Sequence, residues 1–393
     1  MATIVKRGDS YRIVVSCGYG VDGKQVTQSM TWNPEANLTK KQIEKEVNRQ
    51  AVLFEEICLK GQIVSTVKFE TFAEQWFDEY AKGNLKNTSL DRMLRLRDKV
   101  YAAIGHLRLD KITSRHIQNF VNNLAKTTSE ATGRRYARKT IVHHLSFIST
   151  VFGYALKMGM LTDNPCRRVT VPKGEKKEKQ VYTIEETEQF LTLLQAAPLK
   201  YRLFFTLVIY SGFRLSEMLG LEWKDCNYAH CVISIRRTSN YTIDTGLYTD
   251  TTKTKKSMRS LQFPQFIMDM LKEYQAEQNA EKERLGNMWE DTDRLFTRWN
   301  GEPMTNNIPY KWLMRFCAKH NFRFCDIHSF RHLNASLLIN AGVDATSVAA
   351  ALGHAHTSTT LNIYAHYFQE AQAKIGNAVS NALDFSQKKE PPT

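Results

Sequence analysis

Between Pro172 and Lys179 the chain reads Pro-Lys-Gly-Glu-Lys-Lys-Glu-Lys, six of its eight residues charged. Such a stretch cannot run through a core without burying charge that has no partner. It is read as an exposed connection along the 393 residues. Length points the same way, since single cores stop growing beyond roughly 250–300 residues. The expectation is separate bodies on either side of a linker at 172–181.

The two sides differ in periodicity. From Ile4 to Trp32 apolar residues alternate as in strands, with Tyr11, Ile13 and Val15 on one face and Val26 to Trp32 returning antiparallel. Asp22-Gly23 between them suits a tight hairpin turn, because both residues tolerate positive φ. A helix follows, with Thr39 as N-cap, Ile43, Val47, Phe54 and Ile57 on one stripe and Gly61 as its stop. Residues 1–63 thus read as a three-stranded sheet plus a helix. Residues 64–171 read as helices throughout. Thr71, Thr88 or Ser89, and Thr113 are candidate caps, and Ile141, Leu145, Ile148, Phe152 and Leu156 mark a fourth helix that ends at Gly159. Beyond the linker, Thr183 and Glu186 form a capping box, and 182–386 reads as mostly helical. Two strands there, Cys231–Arg237 and Ser257–Phe263, flank a polar hairpin that carries Lys253. The polar, Pro-containing end, 387–393, is expected to be disordered. The fold class is mainly α with small β-sheets.

Charge narrows the function. Lys and Arg number 54 against 40 Asp and Glu, a net of +14, which favours polyanionic partners. Within 64–169 alone there are 18 Lys and Arg against 9 Asp and Glu, so a quarter of the chain holds most of the excess. A basic helical block of that kind suits a phosphate backbone; solvated outer helix faces are the plainer alternative. The most apolar stretch, Leu203 to Tyr210, is far short of the roughly 20 residues of a membrane span. The N-terminus lacks a signal peptide pattern, so a cytoplasmic location is expected. Seven scattered cysteines without a CxxC pair read as reduced thiols. A zinc site at Cys226, His230 and Cys231 lacks a second ligand pair. Neither a P-loop lysine nor a GxGxxG motif is present, so no nucleotide cofactor is implied.

Four strings could carry chemistry. Ser211-Gly212-Phe213-Arg214-Leu215-Ser216-Glu217 presents a guanidinium at a helix boundary. Thr252-Lys253-Thr254 precedes Ser257 and Arg259. His328-Ser329-Phe330-Arg331 places an imidazole and a guanidinium three residues apart. Leu352-Gly353-His354 is followed ten residues later by Tyr364 in Thr360-Leu361-Asn362-Ile363-Tyr364-Ala365-His366. Each is weak alone: an arginine after a turn is usually paired at the surface, and a lone histidine or tyrosine usually packs. The ordered set Arg, Lys, His-x-x-Arg, His, Tyr is far more specific.

In that order and spacing the strings resemble the active-site boxes of the tyrosine recombinase, or phage integrase, family. The resemblance spans the chain. Residues 64–171 resemble the helical core-binding domain, 182–386 the mixed, mostly α catalytic domain, and 1–63 the arm-type DNA-binding module of integrases from Gram-positive conjugative transposons. It implies roles. Arg214 and Arg331 match the arginines that clamp the scissile phosphate, and Tyr364 matches the nucleophile that forms a 3′-phosphotyrosine. His328 matches the residue that helps move the tyrosine proton, Lys253 the general acid for the 5′ oxygen, and His354 a donor to the phosphate. Neither metal nor ATP is implied. The implied partners are double-stranded DNA with core and arm sites, a homotetramer on DNA with exchanged C-terminal tails, and an excision accessory factor; no membrane is implied. Tyr367 competes with Tyr364, and Lys255 and Lys256 compete with Lys253. A His354/His356 metal pair has no carboxylate or cysteine near it in sequence, and His332 is read as structural. Ser329-Phe330 and Asn334 depart from the usual pattern without removing a chemical group. An architectural DNA-binding protein and a metal-dependent nuclease are the competing readings. The first leaves the complete set of site residues unexplained, and the second lacks a carboxylate cluster.

Overall fold

The computed structural model describes residues 2–19, 25–35, 38–59, 67–129, 132–174, 181–251, 258–361 and 364. The chain divides into two compact units, Met1–Lys176 and Lys177–Thr393.

The first unit opens with an antiparallel sheet of β1 (Thr3–Arg7), β2 (Ser10–Tyr19) and β3 (Gln25–Trp32) in the order β1-β2-β3. Its register sets Tyr11 opposite Trp32 and Val15 opposite Gln28. Ile13 and Val15 are buried and Tyr11 packs beside them, the face that the alternation marks. The Asp22-Gly23 turn and Gly61 lie outside the described residues. α1 (Lys40–Leu59) covers the sheet with Val47, Ala51, Phe54 and Cys58. That spacing of 4, 3 and 4 follows one helical stripe. Ile57 falls off it and is exposed, against the expectation that placed it inward. Thr39 does start the helix: its backbone N–H donates to Gln42 Oε1 at 2.9 Å.

The rest of the first unit is helical. α2 (Phe69–Trp76) continues through a π turn at Phe77–Ala81. It begins at Phe69, not at Thr71, because Phe69, Phe72, Ala73 and Trp76 form the buried stripe. α3 (Asn87–Val100) likewise starts ahead of Thr88 and Ser89. At the start of α2 core packing outweighs a hydroxyl cap worth about 1 kcal/mol. α4 (Ser114–Lys126) begins at the expected Thr113, whose backbone N–H is bonded by the His116 ring. α5 (Arg138–Lys157) buries Ile141, Ile148, Val151 and Phe152, and Gly159 follows at φ +71°.

In the second unit α6 (Ile184–Leu194) has the expected capping box, Thr183 N to Glu186 Oε2 at 2.8 Å and Glu186 N to Thr183 Oγ1 at 3.2 Å. α7 (Leu199–Ser211) is buried on nearly every side, with Leu203, Phe204, Phe205, Leu207, Val208 and Ile209 inside. An all-apolar helix can only be central. Around it pack α8 (Gln265–Leu285) and, after α9 (Asn307–Lys319), α10 (Ile327–Asn340). α11 (Ala345–Leu352) packs on α10. Trp312 stacks on Tyr201 at 4.3 Å between ring centroids.

A short sheet of β4 (Cys226–Asn227), β5 (Val232–Ile235) and β8 (Arg259–Gln262) joins β5 to β8 with Ile235 opposite Arg259. The connection differs from a plain polar hairpin. It contains a second ladder, β6 (Arg237–Thr242) with β7 (Gly246–Thr251). Ser239 and Thr242 are buried in it, one on each face of the strand, so a polar sequence hides a partly buried strand. No helix among the described residues is long and apolar enough to cross a membrane.

Candidate active site

The site is built where two helix ends meet inside the second unit. α7 ends at Gly212, with φ +60°. A Cβ there would stand 2.7 Å from Asn334 Oδ1 and 2.8 Å from Leu352 Cδ2, so only glycine allows both the turn and the contact. α11 ends at Gly353, with φ +65°. Gly353 N bonds Ala350 O and His354 N bonds Ala349 O, the paired closure of a Schellman motif. It leaves the carbonyls of Ala351, Leu352 and Gly353 to accept bonds from elsewhere.

Three arginines take them. Arg259 Nε donates to Ala351 O at 2.6 Å, Arg331 Nη2 to Leu352 O at 2.6 Å and Arg214 Nη2 to Gly353 O at 3.1 Å. Arg331 Nη1 also donates to Gly212 O at 2.8 Å, which ties the two helix ends together. Carbonyls at a helix C-terminus carry partial negative charge, so they suit cations. Glu217 lies under the group. It accepts from Arg214 Nη1 at 2.7 Å and from Arg259 Nη2 at 2.9 Å, and from Arg214 N at 2.9 Å as part of a capping box on the short turn Leu215–Met218. Burial works to raise the Glu217 carboxyl, and Arg259 and Arg214 outweigh it, so it stays below its ordinary value.

Among the described residues this cluster sets three guanidiniums against one carboxylate. Arg331 is 3% exposed and its own bonds go to neutral carbonyls. Burial, with the charges of Arg214 and Arg259, pulls it down to about 9 against a partial offset from Glu217. It remains charged at neutral pH, and an arriving anion would relieve it.

His354 is half-buried, with Nδ1 2.7 Å from Thr360 Oγ1. Burial and the arginine charges push it down to about 4, so the ring is neutral at pH 7. Where Thr360 donates to Nδ1, Nε2 holds the ring proton and can donate outward. His328 is exposed on the first turn of α10, edge-on to His332 with centroids 5.0 Å apart. Tyr364 is 3% exposed, against Ala335, Ile339, Val348 and Leu352. Its hydroxyl is 2.7 Å from His332 Nδ1.

Of the six site residues read from the sequence, the structure gathers Arg214, His328, Arg331, His354 and Tyr364 around α10 and the end of α11. Lys253 lies outside the described residues, with Lys255, Lys256 and Tyr367. His356 is exposed. Sequence reading passed over Arg259 as a site residue and Thr360 altogether, although both stand inside the quoted strings. It also read His332 as structural. Asn334 is another surprise: its Nδ2 donates to Ile209 O at 2.9 Å and Tyr210 O at 3.0 Å, closing the end of α7 from a neighbouring helix.

Two family models match the chain, the phage integrase family over residues 180–371 and the phage integrase N-terminal SAM-like domain over 68–125. The ICEBs1 integrase of Bacillus subtilis is 23% identical, over 95% of this chain and 97% of that protein. A tyrosine recombinase XerC-like protein of Caldanaerobacter subterraneus is 27% identical, over 97% and 98%. In fold, the chain is similar to the Tn1549 transposon integrase solved in complex with transposon right end DNA, with TM-score 0.65, 20% identity, and 79% of this chain and 99% of that one covered.

Proposed function

The chain belongs to the phage integrase family, the tyrosine recombinases, and from that premise we propose that it is the integrase of a mobile genetic element, cutting and rejoining DNA for integration and excision. The observation that carries the reading is the cluster of Arg214, Arg259 and Arg331 over the single carboxylate of Glu217. A partly buried site with excess positive charge and forked donors fits a phosphodiester whose non-bridging oxygens gain charge as it is attacked. In this reading Arg214 and Arg331 exchange backbone carbonyls for phosphate oxygens when DNA arrives, and His354 donates from Nε2. Tyr364 attacks phosphorus to give a 3′-phosphotyrosine, and Lys253 protonates the departing 5′ oxygen. The phosphotyrosyl bond conserves the energy for rejoining, so neither ATP nor metal is required.

The layout of the chain supports the partner reading. Residues 1–63 would hold arm sites, 64–171 and 182–386 core sites, with 172–181 linking them. Each protomer supplies one Tyr364 and exchange between two duplexes cuts four strands, so a homotetramer on DNA follows, with the tail from Ala371 docking on a neighbour. An excision accessory factor belongs to the same proposal.

The test uses nicked suicide duplexes carrying the ends of the element that encodes the chain, with EDTA present. Wild type should form a covalent protein–DNA adduct on denaturing gels, and Tyr364→Phe should form none. An adduct that persists in Tyr364→Phe moves the nucleophile to Tyr367. Wild-type binding with no adduct would favour an architectural role.

A further inference from the structure

We propose that His332 is a catalytic residue, the base that takes the proton from the Tyr364 hydroxyl. The proposal deepens the reading above and rests on Tyr364 being the nucleophile.

A phenol is a poor nucleophile until its proton leaves, and the partner that takes it must lie within hydrogen-bonding reach. Tyr364 is 3% exposed among aliphatic side chains, so bulk water is a poor acceptor there. His332 Nδ1 lies 2.7 Å from the hydroxyl oxygen, with the two rings tilted at 58°. His332 is itself 7% exposed on α10, so packing fixes its ring. With Nδ1 accepting from the phenol, Nε2 holds the ring proton. His328, one turn earlier on the same helix, is exposed and edge-on to His332, with ring centroids 5.0 Å apart. Arg331, the residue before His332 in the chain, feels the charge of an ionised Tyr364 as favourable. Moving the proton creates one positive charge on His332 and one negative charge on Tyr364, so the pair gains no net charge beside the arginines.

The step balances. The O–H bond of Tyr364 breaks and an N–H bond forms at Nδ1. The phenolate oxygen bonds to phosphorus as the bond from phosphorus to the 5′ oxygen breaks, and that oxygen leaves with a proton from the general acid. Rejoining runs in reverse: the 5′ hydroxyl attacks, the phenolate leaves and recovers its proton from the His332 imidazolium.

The experiment uses the full chain on the nicked suicide duplexes, with tyrosine or a fluorinated tyrosine of lower pKa installed at position 364 by nonsense suppression. With ordinary tyrosine, His332→Gln should slow adduct formation about 100-fold or more, the range of general-base catalysis, while duplex binding is retained. With fluorotyrosine the gap should narrow to less than about 10-fold, because a more acidic phenol needs less help from a base. The same comparison in His328→Gln should show no narrowing. A His332→Gln defect that fluorination leaves unchanged means a packing role and overturns the proposal, as does a wild-type rate in that variant. A second measurement needs no change at His332: in 15N-histidine spectra its Nδ1 resonance should shift on Tyr364→Phe, and a stationary resonance overturns the hydrogen bond. An adduct formed by Tyr364→Phe, or none by wild type, fails the parent reading instead and removes this proposal with it.

Discussion

Arg331 shows what a single side chain is asked to do at this site. Its guanidinium spans Gly212 O and Leu352 O, two bonds in one plane that a fork of donors can make and a single ammonium cannot. Arg331→Lys keeps the charge and loses the span, so adduct formation should fall by about 100-fold or more, the scale of losing one charge-stabilising donor, while gel-shift affinity changes little. An unchanged rate would remove Arg331 from the phosphate clamp. His354 offers a prediction in pH. Its folded value, about 4, lies below the ordinary 6.5, so between these limits the unfolded chain binds the proton and the folded chain does not. Stability from neutral His354 is full above about pH 6.5 and is lost as pH falls toward 4. The ring is half-exposed, so solvent moderates the effect. Melting temperature against pH should slope more steeply in that window for wild type than for His354→Gln; parallel curves would show that the ring is not held neutral. The short strings around these residues are legible because each holds a rare pairing, a glycine before an arginine or a histidine three before one. His332 and Asn334 are not, because their roles depend on what α7 and Tyr364 place opposite them, more than 30 residues away in sequence.

At the scale of elements, the ends matter more than the lengths. The Schellman turn at Gly353 sends three carbonyls of the α11 end to three arginines. Gly353→Ala would force an alanine to φ +65° and set its Cβ 2.7 Å from Arg259 Nη1. The backbone strain alone costs about 1–2 kcal/mol. Displacing Arg259 loosens Glu217 as well, so the variant should lose both melting temperature and adduct rate. Loss of stability with a wild-type adduct rate would show that the α11 end does not organise the clamp. Sequence periodicity located the elements that have strong stripes, such as α1 and α5, and the caps whose hydroxyl and acceptor partner are spaced as a box, Thr183 with Glu186. It placed the start of α2 too late because an isolated threonine there competes with a buried stripe of Phe69, Phe72 and Trp76. It missed the β6–β7 ladder for the opposite reason: buried serine and threonine leave no hydrophobic alternation to read.

For the molecule as a whole, the charged segment at 172–179 divides the sequence into a basic helical region before it and the region of the candidate site after it. Within 64–169 the excess of positive over negative side chains is nine. If this region grips a duplex, binding releases counterions from each phosphate it neutralises, and log affinity falls linearly with log salt at about 0.9 per phosphate contact. Six to ten contacts would cost about 10³ to 10⁵ in affinity between 50 and 200 mM salt. The chemical step should behave differently, because Arg331 and Arg259 of the proposed clamp are buried and pair over distances shorter than the screening length of about 10 Å at 0.1 M salt. On duplex held at saturating protein, the rate of adduct formation should therefore change far less than affinity over the same range of salt. Affinity insensitive to salt would mean that the charge of 64–169 merely solvates helix faces. A chemical rate that falls in step with affinity would mean that the arginine cluster stays open to solvent ions when DNA is bound, contrary to its burial around Arg331.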